Sequence, residues 1–204
     1  VKIVLLVEGH TERETLRKFF QGWLKGKVEP LPAVSVVNTK GCDNHVKDCA
    51  QKASLYLNES DVLAVIGLLD LHGPTYPGHC ATVDQKRTYL RDRLEKEVGS
   101  PNFRQHFAIH ELEAWLLSDP DIFPAEVKKA VAKKNARPEA LHGNDLPSKL
   151  LERLYLEKTK RDYKKRAHGA ELFAKLDPDR AAAKCPALKA LLDDLLTFAQ
   201  AANA

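Results

Sequence analysis

Three acidic residues, Glu8, Asp70 and Glu111, stand far apart in the chain but share one local setting, each following a run of strand-forming residues. Lys2-Ile3-Val4-Leu5-Leu6-Val7 is an unbroken β-branched and aliphatic run, the pattern of a strand buried on both faces of a parallel sheet, and it ends in Glu8-Gly9. Val62 to Leu69 is a second such run and ends in Asp70; a weaker pattern at Phe103, Phe107 and Ile109 leads into His110-Glu111-Leu112-Glu113. Should these strands be neighbours, their carboxylates meet at one rim. Like charges held that close repel unless a cation neutralises them or one takes a proton. All-oxygen donors select a hard divalent ion, Mg²⁺ or Mn²⁺, which can polarise a phosphodiester and generate a hydroxide nucleophile. Glu12 and Glu113 could join the cluster, and His10 and His110, each beside a candidate ligand, could move protons or orient it. The competing reading is that acids at strand ends cap helices or sit in solvated loops, and an acid in a first helical turn is favoured by the helix dipole alone.

The segments around these acids predict the elements that position them. Gly9 permits a tight turn, Thr11 and Glu14 have the capping-box spacing, and Leu16, Phe19, Phe20, Trp23 and Leu24 follow at helical intervals. Ala33 to Val37 reads as a short second strand, Gly41 breaks it, and Asp43 is placed to cap a helix through Leu57. Gly73-Pro74-Thr75-Tyr76-Pro77-Gly78 can continue neither regular structure and is a loop beside Asp70. A helix follows from Asp84 to Val98. Strands alternating with helices imply an α/β fold with a mainly parallel central sheet flanked by helices. Trp115, Leu116 and Leu117 read as core. Beyond Pro124 strand signals fade; a helix opens at Pro147 or Ser148, and another follows Cys185-Pro186 with Leu188, Leu191, Leu192, Leu195 and Ala199 as one apolar stripe. The expected division is an α/β core over 1–122 and a helical C-terminal region over 123–204.

With 204 residues, 44% hydrophobic and 29% charged, the composition is that of a globular protein. No apolar run approaches the ~20 residues that span a bilayer, and the first residues lack a signal-peptide progression, so the expected location is cytoplasmic. Cys42, Cys49, Cys80 and Cys185 are scattered without zinc-ribbon spacing and read as reduced thiols. A net charge of +4 permits contact with a polyanion without requiring it. The local cluster carries more: Lys158, Lys160, Arg161, Lys164, Lys165 and Arg166 are interrupted only by Thr159, Asp162 and Tyr163. These cations can hold phosphates, and Tyr163 can stack on a base; the same run also fits a solvated helix face. Lys164 or Lys165, if turned toward the acids, could hold the scissile phosphate. No P-loop, Gly-x-Gly-x-x-Gly run or Ser-His-Asp order supports ATP hydrolysis, dinucleotide use or acyl transfer.

These residues resemble the Toprim domain shared by topoisomerases, bacterial primases and the overcoming-lysogenization-defect nucleases. Its Glu-Gly pair after the first strand matches Glu8-Gly9, and its Asp-x-Asp motif matches Asp70-Leu71-His72, with His72 in place of the second aspartate. That replacement weakens the case for two-metal chemistry, although an imidazole can bind a softer ion or move protons. Over nearly the whole chain the sequence resembles a Toprim-like family of unknown function, often encoded beside an ABC-type ATPase in anti-phage loci. The matching marks are Val7 to Glu12, Asp70 to Pro74 with Pro77-Gly78, His110 to Ala114, Tyr163 to Lys165 with Gly169, and Cys185-Pro186. The resemblance implies a Toprim-like (Rossmann-like) fold and a bacterial defence setting, with Glu8, Asp70, Glu111, Glu113 and His72 as ligands. The reaction expected is metal-dependent hydrolysis of DNA or RNA, with Glu8, Asp70, Glu111 and Lys164 as catalytic residues. The rivals are a non-catalytic module that binds nucleic acid or docks on an ATPase, and a phosphatase acting on small nucleotides.

Overall fold

A computed structural model describes residues 1–134, 136–141 and 146–201, without the side chains of His10, Thr11, Glu12 and Glu14. The expected capping pair Thr11 and Glu14, the acid Glu12 and the imidazole of His10 therefore lie outside the described residues. Four strands form one parallel sheet: β1 (Lys2–Val7), β2 (Ala33–Asn38), β3 (Val62–Asp70) and β4 (Phe103–Ala108), in the order β2-β1-β3-β4. Crossovers are made by α1 (His10–Leu24), α2 (Cys42–Leu57) and α3 (Val83–Val98). β1 is interior to the sheet, and Ile3 through Val7 are fully buried, which is why its sequence shows no polar alternation. α2 packs on β1 and β3, and α1 lies against β2.

The strand order has a mechanical consequence. From β1 the chain winds to β2 on one side, then crosses back to β3 on the other. The carboxyl ends of β1 and β3 thus flank a topological switch point, where open α/β sheets leave a crevice.

The chain divides into two compact units, one comprising Val1–Phe107 with Leu191–Ala204 and the other Ala108–Ala190. The first unit is left at the end of β4, and the last helix, α9 (Pro186–Ala201), finishes in that unit. Its apolar stripe explains this return, since Leu191, Leu192 and Leu195 are buried. Within the first unit His106 Nε2 lies 2.9 Å from Asp194, and the Arg104 guanidinium sits 5.8 Å from the Phe198 ring centroid. The second unit holds α4 (Glu113–Leu117), α5 (Ala125–Val131), α6 (Pro147–Thr159), α7 (Lys165–Phe173) and α8 (Pro178–Ala182), with one-turn helices at Pro120–Ile122 and Pro138–Ala140. Every residue of α4 is buried, and Trp115 meets Phe173 edge to face at 6.4 Å, the core role expected of it.

One expected cap is corrected. Asp43 does not cap α2; Gly41 occupies the N-cap at φ 107°, a conformation that side chains disfavour, so the helix starts at Cys42 with Asp43 in its first turn. The Gly41 N–H instead donates to the Glu8 carbonyl at 2.8 Å, tying the start of α2 to the tip of β1.

Candidate metal and phosphate site

In the first unit the register pairs Val7 with Leu68 on the parallel neighbour. Glu8 stands one residue past Val7 and Asp70 two past Leu68, on adjacent strands about 4.8 Å apart. The sheet therefore brings two of the expected acids to neighbouring tips at the switch point. Glu8 is half-buried, and Asp70 is 9% exposed. The backbone around them is tightly held. The Val7 carbonyl accepts the Thr39 N–H at 2.7 Å, and the Asp70 carbonyl accepts the Gly73 N–H at 3.3 Å. A Cβ on Gly73 would lie 3.1 Å from Cys42 Cβ, so glycine permits the close approach of this turn to α2. Burial, followed by the negative charges of Asp43 and Glu8, pushes the Cys42 thiol up, so it remains protonated at neutral pH. His72 is exposed in the turn after Asp70, and the Tyr76 hydroxyl pins the following loop by donating to the Leu71 carbonyl at 3.0 Å.

In the second unit the candidate residues follow β4. His110 turns the chain at φ 66°, a left-handed conformation uncommon outside glycine, and Glu111 follows. Both Glu111 oxygens are engaged: Oε2 accepts the Ser148 N–H and Oε1 the Ser148 hydroxyl, each at 2.9 Å. Glu111 thus anchors the amino end of α6, where a carboxylate also complements the helix dipole. Glu113 is 3% exposed. Burial pushes its carboxyl up; the charge of Lys165 pulls the other way, and that of Glu111 adds to the rise. Lys165 Nζ lies 3.2 Å from Glu113 Oε2. Among the described residues this ion pair is the one polar contact of the buried Oε2.

The basic segment straddles the end of α6 and the start of α7. Lys158, Lys160, Arg161, Lys164, Lys165 and Arg166 are all exposed, with Lys160 at φ 59° closing α6. Of the two lysines considered for work beside the acids, Lys165 meets one, whereas Lys164 contributes its backbone N–H to His168 Nδ1 at 2.8 Å. Tyr163 is 7% exposed, with its ring 5.3 Å from that of Tyr155 and 5.7 Å from that of His168. Its ring is buried beside these neighbours, an arrangement different from the open platform that base stacking uses. Burial and the nearby Glu113 charge push its phenol up, and its hydroxyl has no hydrogen-bond partner among the described residues.

Among the described residues, no group of three or more His, Cys, Asp or Glu side chains is gathered to hold a metal ion. The expected ligands are divided: Glu8, Asp70 and His72 in the first unit, Glu111 and Glu113 in the second. Sequence reasoning missed Ser148, whose pairing with Glu111 spans 37 positions. It also missed a buried polar set formed by Thr39, His45 and Gln105. The one signal for that set was Gly67, an isolated glycine inside an apolar strand, which marks a close approach.

A four-stranded parallel sheet of this order, flanked by helices, is a Toprim-like fold. Residues 7–196 match the sequence pattern of one family. The chain belongs to that family, described as a domain of unknown function, DUF4276. Among solved structures it is similar to the C-terminal region of the Burkholderia pseudomallei OLD protein, at 18% identity and a TM-score of 0.52, covering 99% of this chain and 98% of that one. It is also similar to the C-terminal region of the Xanthomonas campestris pv. campestris OLD protein, at 17% identity and a TM-score of 0.48, covering 98% and 93%. At such identities the likeness is one of fold. No curated protein matches the chain. Among the described residues no helix is long and apolar enough to cross a membrane.

Proposed function

We propose that the chain is a divalent-metal-dependent nuclease that hydrolyses phosphodiester bonds in DNA or RNA, acting in bacterial defence with an ABC-type ATPase partner. The observation that carries this reading is the pairing of Glu8 with Asp70 on adjacent strand tips at the switch point of a Toprim-like sheet. Two carboxylates so placed suit a hard cation such as Mg²⁺ or Mn²⁺ in their donor chemistry. When bound, the ion would supply Lewis acidity toward a phosphoryl oxygen and acidify water. Glu8 and Asp70 would hold it, with His72 exposed beside them, and Glu8 would take the proton of the attacking water. Lys164, Lys165 and the neighbouring exposed cations would bind the nucleic-acid backbone, each phosphate contact adding a salt-dependent increment to affinity. In this reading Glu111 and Glu113 act within the second unit, Glu111 by fixing α6 and Glu113 by holding Lys165. The resemblance of the sequence to a Toprim-like family often encoded beside an ABC-type ATPase supports the partner.

A specific observation favours a second reading, a non-catalytic module that binds nucleic acid or docks on an ATPase. His72 stands where the Toprim motif has its second aspartate, and each Glu111 oxygen accepts a hydrogen bond from Ser148. Incubating the full chain with mixed DNA and RNA, with and without Mn²⁺, beside Glu8→Gln and Asp70→Asn, separates the two. The nuclease reading expects Mn²⁺-dependent digestion that falls in both variants to the metal-free level. Undiminished digestion by the variants overturns it, and salt-sensitive binding without digestion by any of the proteins establishes the second reading.

A further inference from the structure

Behind the carboxyl rim of the first unit lies a buried polar relay in an otherwise apolar core. Thr39 is 2% exposed and His45 is fully buried. The Thr39 hydroxyl lies 3.0 Å from the Val7 carbonyl and 3.3 Å from His45 Nδ1; His45 Nε2 lies 3.3 Å from Gln105 Oε1. Gln105 is fixed at its other end, where its amide nitrogen donates to the His106 carbonyl at 2.9 Å and its backbone N–H to Glu95 at 3.0 Å. These bonds constrain the proton positions. Because the Gln105 amide nitrogen is spent on His106, its oxygen faces the imidazole and can only accept, so His45 Nε2 carries the proton. Burial pushes the imidazole down to about 4, so the ring is neutral and Nδ1 is an acceptor, which shares the single Thr39 hydroxyl proton with the Val7 carbonyl. The Val7 carbonyl meanwhile keeps the Thr39 N–H at 2.7 Å.

Glycine makes room for this relay. A Cβ on Gly67 would overlap Gln105 Oε1 and stand 2.8 Å from its Cδ. The Gln105 side chain therefore lies against the backbone of β3 where that strand has no side chain, opposite Leu6 of β1. A buried polar set that links the tip of β1, α2, β3 and β4 is costly unless every member is satisfied. Packing alone would be served by apolar residues.

We infer that His45 is a positioning residue for Glu8: through Thr39 it fixes the Val7 carbonyl, and with it the peptide that presents the Glu8 carboxylate at the switch point. The inference rests on the reading of Glu8 as a metal ligand. Partners hydrogen-bonded directly to a ligand change metal affinity by about 10- to 100-fold when lost, and Thr39 acts one peptide further out, which sets the expected effect at the low end of that range.

The test uses the full chain as wild type, Thr39→Val, His45→Gln and Thr39→Ser. Mn²⁺ affinity is measured by electron paramagnetic resonance, hydrogen exchange at the Gly41 amide, which donates to the Glu8 carbonyl, and integrity of the fold by thermal melting. Thr39→Val preserves shape and removes the hydroxyl; it is expected to weaken Mn²⁺ binding by about tenfold and to speed Gly41 exchange, with the cooperative melt retained. Thr39→Ser, which keeps the hydroxyl, restores both. If Thr39→Val loses its cooperative melt, His45→Gln carries the same expectation. Wild-type affinity together with wild-type exchange in a folded Thr39→Val overturns the inference, as does failure of Thr39→Ser to restore them. Absence of Mn²⁺ binding in the wild type removes the metal reading instead, and the exchange measurement then decides by itself whether the relay holds the tip of β1.

Discussion

His45 is the residue whose ionisation the fold changes most legibly. Its imidazole is pushed down from 6.5 to about 4 by burial, with the Gln105 hydrogen bond opposing and the Lys52 charge assisting. Between these two values the unfolded chain binds a proton that the folded chain refuses, so stability is lost as pH falls through that window. The full penalty, reached below the folded value, is on the order of 3 kcal/mol. Urea unfolding at about pH 7.5 and about pH 5 is expected to show the wild type losing about 2 kcal/mol more than His45→Gln across that interval. An equal loss in both would show that the ring titrates normally. Cys49, beside the same amide with Sγ 3.9 Å from Gln105 Oε1, is pushed up to about 12 by burial and stays a thiol that can donate. Glu113 is the opposite case, since a buried carboxyl pushed upward is stabilised by acid.

Among the elements, β3 carries the sharpest demand on sequence. Gly67→Ala would force its new methyl into Gln105, and overpacking of this kind costs about 1–3 kcal/mol. Chemical denaturation should show that loss in Gly67→Ala, and less than the sum of the single losses when Gln105→Ala is added, because the truncated side chain frees the space. Additive losses would separate the two positions. The strands themselves are legible in the sequence, since β1 and β3 are short apolar runs, each closed by an acid. That signal found Glu8 and Asp70. The strand order was not legible, because no local pattern records that β1 lies between β2 and β3; register and order are settled by pairings distant in sequence. Glu111 shows the same limit. Its strand-end context is local, whereas its partner Ser148 stands in the first turn of a helix far along the chain. Tyr163 sits among cations, a setting that suggests stacking on a base, but three aromatic rings from α6, α7 and the turn between them pack together. Asp43 lost its capping role to a glycine two residues earlier, a difference decided by backbone φ.

At the scale of the molecule, charge and topology set what can be asked of the two units. The basic segment lies wholly in the second, and in the proposed reading its exposed cations would act on a polyanion as a sum. Replacing Lys158, Lys160, Lys164 and Arg166 by alanine should reduce the slope of log affinity against log salt on duplex DNA by about 3–4, four phosphate contacts at roughly 0.9 each; fluorescence anisotropy across a salt series measures it. An unchanged slope would return the run to the role of a solvated surface. The path of α9 carries a further consequence. Because the backbone leaves the first unit after Phe107 and re-enters it at Leu191, the second unit is an excursion within the first. A fragment stopped at Phe107 would strip His106 and Arg104 of Asp194 and Phe198 and leave an apolar face wet. Excising 108–190 and bridging the gap with a few glycines would keep those partners, and is the shorter protein expected to give a cooperative melt.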